Sequence, residues 1–392
     1  MSSSRYTFWV LILVVVMGGV SQGLTIPLLA VLLEQQGVSS LANGLNAAAL
    51  YIGMVVASPW LEIPLRRIGY RSTILWGLVL VTASTVLLPF FTHLAVWFAL
   101  RLLMGVGDTS LHYASQMWVT KIAPPERRGR DLSLYGLAYG IGFSIGPLGI
   151  NLLPFGIWAP FAAVTVLYVL AFCLLARIRN AYPDPVPPAA DGRRENRYAA
   201  VFRLGWLALI PSFLYGFMET SLNGSFPVYA LRTGISVEWV SLILPSFVVG
   251  SIILQMPLGA LSDRIGRRLV MGVCALVGAA AFLLFPLSGD SVWAMMLLLA
   301  LAGAAVGSFY SLGLAFAADI LPASMVPTAG IIAGVNFGVA SILAPNLNGL
   351  MMQVWEPWTI FWLMGGQLLA FAVACLLKRT QSEKMCLHTQ ES

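Results

Sequence analysis

Residues 259–268 read G-A-L-S-D-R-I-G-R-R, a polar turn set between two long apolar runs. Asp263 falls where one helix ends, a position from which its carboxylate can meet the positive end of another helix's dipole or an arginine. Gly259 and Gly266 permit close approach and a tight turn. Such a contact can be made in one conformation and lost in another, so the turn reads as a latch. The simpler alternative is a basic loop that only fixes membrane orientation.

The surrounding composition sets the class. Of 392 residues, 59% are hydrophobic and 10% charged, and the mean hydropathy is +0.85. A water-soluble surface cannot be built from this composition, so the chain is an all-α integral membrane protein crossing the bilayer many times. The net charge of +6 does not indicate nucleic acid, because the 22 Lys and Arg, all but Arg101 and Arg232, lie in one set of alternate loops and the two termini. That bias predicts cytoplasmic termini and basic loops in a cell (inner) membrane protein. The first apolar run, about 7–33, is too long for a signal-peptide core and reads as a retained helix. Cys173, Cys274, Cys375 and Cys386 are too scattered for a disulfide framework or zinc site. No phosphate-cradling Gly-Lys-Ser/Thr stretch is present, and no cofactor is expected.

Apolar runs lie at roughly 7–33, 40–64, 72–91, 94–120, 132–155 and 158–177, and again at 204–231, 236–261, 269–287, 291–320, 325–350 and 355–378. Between the sets, 178–203 carries Pro183, Pro185, Pro187 and Pro188 and then Arg193, Arg194 and Arg197, the composition of a cytoplasmic linker. The expected organisation is a six-helix half at 1–177, the linker at 178–203, a second half at 204–380 and a tail at 381–392. Pro27 and Pro227, Gly107 and Gly307, and Pro147 and Pro345 match at offsets of about 200 residues, the sign of a parallel pseudo-repeat with a path between the halves. The turn after the second helix, E-I-P-L-R-R-I-G-Y-R, is a degenerate second latch: Glu62 replaces Gly259, Arg66 replaces Asp263, and Arg67, Gly69 and Arg71 correspond. Glu62 is the candidate substitute acid, and the stronger latch is expected between the eighth and fifth helices, near Arg127, Arg128, Arg130 and Asp131.

In the fourth helix Arg101, Asp108, His112 and Gln116 fall at spacings of seven, four and four, on one face. A charge in the hydrocarbon layer costs at least ~2.5–3.5 kcal/mol, so that face looks into protein or a watery cavity. Desolvation and a nearby arginine pull Asp108 in opposite directions, so its protonation can change as a cavity opens. A static Arg101–Asp108 pair is the structural alternative. Glu219, near the middle of the seventh helix with Asn223 one turn on, is the second candidate proton carrier. Gln22, Thr25, Tyr135, Tyr139, Tyr310 and Asn336 are further candidates to line the cavity, and His112 is expected to be a cavity or packing group, since no partner stands at metal-ligand spacing. Trp9, Trp97, Trp158, Trp293, Trp355 and Trp358 sit near helix ends, as in an interfacial belt.

The 259–268 turn resembles the signature loop of the major facilitator superfamily, with Gly259, Asp263, Arg264, Gly266, Arg267 and Arg268 filling its key positions. Arg101 with Gly105 and Gly107 resembles the fourth-helix motif of proton-driven members. Gly142–Pro147 resembles the antiporter motif of drug exporters, which ends Gly-Pro-x-x-Gly-Gly; Ile150 and Asn151 stand where its last glycines fall. The resemblance spans almost the whole chain. It implies a twelve-helix transporter working by rocker-switch alternating access, closest to bacterial proton-coupled drug or metabolite exporters, with a small molecule and protons as partners and a monomeric state. Uptake symport, uniport or lipid flipping fit the same fold. A membrane enzyme or sensor fits less well, since the chain offers neither a catalytic cluster nor an appended soluble domain.

Overall fold

The computed structural model describes residues 3–124, 127–183, 197–322 and 325–377. Among them are twelve helices long and apolar enough to cross a membrane. The first six are α1 Ser4–Gln35, α2 Ser40–Trp60, α3 Glu62–Phe90, α4 Leu94–Ile122, α5 Arg130–Phe155 and α6 Trp158–Ala176. The second six are α7 Tyr198–Arg232, α8 Val237–Ile265, α9 Arg267–Ser288, α10 Val292–Ile320, α11 Thr328–Val354 and α12 Thr359–Leu377. Half of the expected linker, with Arg193 and Arg194, and the expected tail, with Cys386, lie outside the described residues.

Each half has its own apolar core, one centred on Leu28, Ile74 and Leu111, the other on Phe226, Phe285 and Phe361. The repeat is visible in the packing. In the first half Cβ atoms added at Gly53 and Gly105 would fall 2.2 Å from Leu102 O and 1.9 Å from Leu50 O, so α2 and α4 cross backbone to backbone. In the second, Gly250 and Gly303 stand in the same way 2.0 Å from Ala300 O and 1.8 Å from Phe247 O, where α8 crosses α10. Gly19 on Tyr139 O and Gly216 on Phe337 O repeat this for α1–α5 and α7–α11. Small residues permit such contact, and without a hydrophobic drive inside lipid the close packing holds the helices together.

This register corrects two of the sequence pairings. Gly105, not Gly107, is the counterpart of Gly303: Gly107 packs on α3 at Gly77 and Val81, whereas Gly307 packs on α8 at Ser251. Pro27 corresponds to Gly224, not to Pro227, because α7 is not uniform. It is α-helical to Thr220, π-helical over Ser221–Ser225, and α-helical again over Phe226–Arg232. Pro227 has no N–H to continue the ladder, and the widened turn before it accommodates the break. Asn348 of α11 fastens that turn by donating to Ser221 Oγ at 2.7 Å and Ser225 Oγ at 3.3 Å.

Outward-facing apolar side chains such as Trp76, Val169, Met256 and Leu297 suit contact with lipid. Trp9, Trp158, Trp293 and Trp355 are exposed as a belt requires. Trp97 is not: it is buried, and its indole N–H donates to Phe91 O at 2.6 Å, so it belongs to the core.

The described polar links and backbone contacts between the halves gather at the face away from the termini. There Glu34 at the end of α1 pairs with Arg232 at the end of α7 at 2.7 Å. Asn151 of α5 donates to Ser241 of α8 at 2.9 Å. Gly44 and Gly349 bring α2 and α11 together at Pro345 O and Ser40 O. Toward the termini, Gly136 and Gly140 in α5 and Gly330 and Gly334 in α11 have open space where a side chain would stand. The space between the halves, a central chamber, is therefore bridged at the far face by these contacts.

Candidate functional site

The centre of the chamber is built by α1, α2, α4, α5 and α7. Asp108 and Arg101 are each 1% exposed, yet they do not pair as the static alternative requires. Arg101 Nη1 donates to Asn46 Oδ1 of α2 at 3.1 Å. Asp108 instead meets the Gln22 side chain of α1, while its Oδ1 has no hydrogen-bond partner. Gln22 Oε1 accepts from Tyr139 OH at 2.7 Å, which continues the chain into α5. His112 lies one turn beyond Asp108, edge-on to Tyr139 with ring centroids 5.0 Å apart, and Tyr135 OH donates to its backbone carbonyl at 3.0 Å. No metal-holding cluster occurs among the described residues.

From the other half comes Glu219, hydrogen-bonded to Tyr215 one turn earlier. In the register set by Gly19 and Gly216, Glu219 is the counterpart of Gln22, so the two face the same central space from matching places on α1 and α7. Tyr51 of α2 and Tyr139 lie within electrostatic reach of both Asp108 and Glu219. Two carboxylates from opposite halves thus share one aromatic setting. The Asn223 amide donates to the Glu219 backbone carbonyl at 2.7 Å, a bond local to the π-helical turn, and not to the Glu219 carboxylate.

The remaining sequence candidates divide. Gln116 is exposed toward the termini side of α4. Thr25 is buried and donates to Ser21 O at 2.8 Å, and Ser21 in turn donates to Tyr168 OH. Tyr310 packs edge-on to Phe337, and Asn336 donates to Leu209 O at 3.2 Å in the part of α7 disturbed by Pro211. Tyr51, Asn46 and Tyr215 escaped the sequence reading. Only the Tyr215–Glu219 spacing of four could have signalled one of them, since contacts across helices leave no local trace.

The latch has the expected turn but different partners. Gly266 (φ 96°) and its counterpart Gly69 (φ 85°) both adopt the left-handed region that glycine favours. Asp263 pairs with Arg267 at 2.7 Å, and Arg267 also holds Asp319 at the end of α10 at 2.5 Å. Both bonds stay within the second half, and not at Arg127, Arg128, Arg130 or Asp131, because the halves are apart at this face. Arg264 and Arg67 are exposed. Glu62 does not replace Asp263 as a link between helices: it pairs with Arg66 on its own helix at 2.6 Å, an exposed contact of small value. The first-half turn is held instead by Asn180, at the start of the linker. Its side chain donates to Ile68 O at 2.6 Å and accepts from Arg71 N at 2.9 Å, and the Tyr70 N–H donates to Ala181 O.

Twelve membrane-capable helices, a repeated six-helix half and a central polar chamber closed at one face define a secondary transporter. The Major Facilitator Superfamily profile matches residues 11–238 and 208–391. The MFS-type transporter YfkF of Bacillus subtilis (strain 168) is 40% identical over 383 residues, covering 97% of each chain. YcaD of Shigella flexneri, also an MFS-type transporter, is 23% identical over 328 residues and 82% of each chain. Among solved structures, the nucleoside transporter NupG superposes with a TM-score of 0.76 at 14% identity, covering 96% of this chain and 98% of that one. A D-xylose–proton symporter gives 0.74 at 17% identity, covering 94% and 97%. The chain belongs to the major facilitator superfamily.

Proposed function

We propose that the protein exports a small molecule from the cytoplasm in exchange for protons, by rocker-switch alternating access. The observation that carries this reading is the placement of Asp108 and Glu219, one from each half, in a common chamber closed at the far face. In this reading both termini are cytoplasmic, the chamber is open inward, and a monomer in the cell membrane is the working unit. A buried carboxylate must be neutralised by a proton or a partner. Exchanging one for the other changes the energy of each state and shifts the equilibrium between them by the differential interaction. Arg101, held by Asn46 on the closed side of Asp108, sets the field at that carboxylate. The latch residues Gly259, Asp263, Arg264, Gly266, Arg267 and Arg268, with Arg67 and Gly69 in the degenerate copy, govern how the termini face shuts.

A second reading is uptake by symport. It is favoured by the fold likeness to a D-xylose–proton symporter and a nucleoside transporter. Proteoliposomes of known orientation under an imposed proton gradient separate the two. For export, substrate and protons move in opposite directions, and Asp108→Asn or Glu219→Gln abolishes gradient-driven flux. Movement in the same direction establishes symport, and flux without proton movement removes the coupling role of both carboxylates.

A further inference from the structure

We infer that the central site binds an organic cation: a molecule with a positively charged nitrogen and an aromatic or apolar body. The inference rests on the transport reading and deepens it by naming the class of cargo.

Charge is the first argument. Asp108 and Glu219 approach the same space from opposite halves, and neither forms an ion pair with a described cation. Arg101, the one cation buried in the described bundle, is engaged by Asn46. It also lies seven residues from Asp108, ~10 Å along α4. An anion would find only that guanidinium, whereas a cation finds two carboxylates, one with an oxygen, Asp108 Oδ1, that has no partner.

The lining points the same way. Tyr51 and Tyr139 stand within electrostatic reach of both carboxylates, and Tyr215 is bonded to Glu219. The faces of such rings attract cations, and the attraction grows as water is excluded. A neutral polyol is served poorly, because sugars and nucleosides are recognised by amide and hydroxyl groups free to bond. Here the amide nitrogens of Asn223, Asn336, Asn346 and Asn348 donate to the protein itself and Gln22 is engaged by Tyr139 and Asp108, so that Asn46 Nδ2 and His112 Nε2 are the unpartnered buried nitrogens among the residues of the site. Proton and cation then compete for the same two carboxylates.

The test uses three probes with a common phenyl body: benzyltrimethylammonium, phenyl β-glucoside and benzoate. Binding to the purified full chain is followed by tryptophan fluorescence, and flux of each labelled probe is measured in proteoliposomes. Saturable binding is expected for the ammonium alone, with Asp108→Asn and Glu219→Gln each weakening it about tenfold or more, as loss of a close opposite charge in a low-dielectric site requires. Glu219→Asp, which keeps the charge, should retain most of the binding and guards against a folding artefact. Saturable binding of glucoside or benzoate in place of the ammonium, no binding of the ammonium, or ammonium binding unchanged in both neutral variants overturns the inference. Flux of glucoside or benzoate without the ammonium would sink the cargo class and leave transport standing. Ammonium binding without flux of any probe would do the reverse.

Discussion

At the scale of single residues, the proposed alternating-access mechanism makes the cross-half contacts at the far face a bias on which state is favoured. Glu34 and Arg232 are partly exposed, with side-chain exposures of 15% and 28%, so their bond is worth about 1 kcal/mol. Glu34→Gln should shift the population toward the far-face-open state about fivefold, and the Glu34→Arg, Arg232→Glu double exchange should restore it. Labelling rates of a cysteine placed near the chamber measure this; identical rates in all three proteins would refute it. Asn151 shows what sequence alone could and could not reveal. Its departure from the glycine pair of the antiporter motif was plain, but its bond to Ser241, 90 positions away, was not. Its counterpart across the repeat is Gly349, which packs on Ser40 O. One seam is therefore closed by a hydrogen bond and the other by backbone contact. Asp108, Arg101 and Glu219 were legible because a charge inside an apolar run must have a reason. Tyr51 and Asn46 were not, because a tyrosine or asparagine in an apolar run signals far less cost than a charge, and what sets these two apart is contact across helices, Asn46 with Arg101 and Tyr51 near both carboxylates.

At the scale of helices, the glycine crossings divide positions that must stay small from positions that need not. Alanine at Gly105 or Gly303 would place a Cβ within 2 Å of a carbonyl oxygen on the crossing helix. Each substitution should cost about 1–3 kcal/mol by forcing the helices apart, read as a lowered Tm in detergent. Alanine at Gly136 or Gly334 meets nothing within 4 Å and should leave Tm nearly unchanged. Equal shifts at all four positions would show that the crossings do not control stability. The count of the helices followed directly from apolar run length, since a bilayer fixes the span, but not every limit: α3 begins at Glu62 and α7 at Tyr198, in charged stretches that read as loop and linker. The π-helical turn in α7 did not. Pro227 signalled a break, yet whether a proline kinks, ends or widens a helix depends on what refills the freed bonds, here Asn348 from a helix more than a hundred residues later.

At the scale of the molecule, each half is tied at its termini face in its own way. The second half uses Asp263, Arg267 and Asp319; the first uses Asn180 against the turn at Gly69. The signature turn was readable in the sequence, but its bond to Asp319 was not, because that residue lies 52 positions from Arg267 on another helix. Asp263→Asn is expected to reduce transport severalfold while membrane expression stays intact, and wild-type flux from that variant would remove the latch from the mechanism. The central claim is that neutralising the carboxylates moves the halves against each other. The direct measurement is a pair of spin-label distances, one across the far face between positions 36 and 233 and one across the termini face between positions 130 and 265. Asp108→Asn with Glu219→Gln should change the two distances in opposite senses relative to the unsubstituted charges, one shortening as the other lengthens. Distances that stay fixed in the double variant, or that change at one face alone, would contradict a rocking motion governed by these carboxylates.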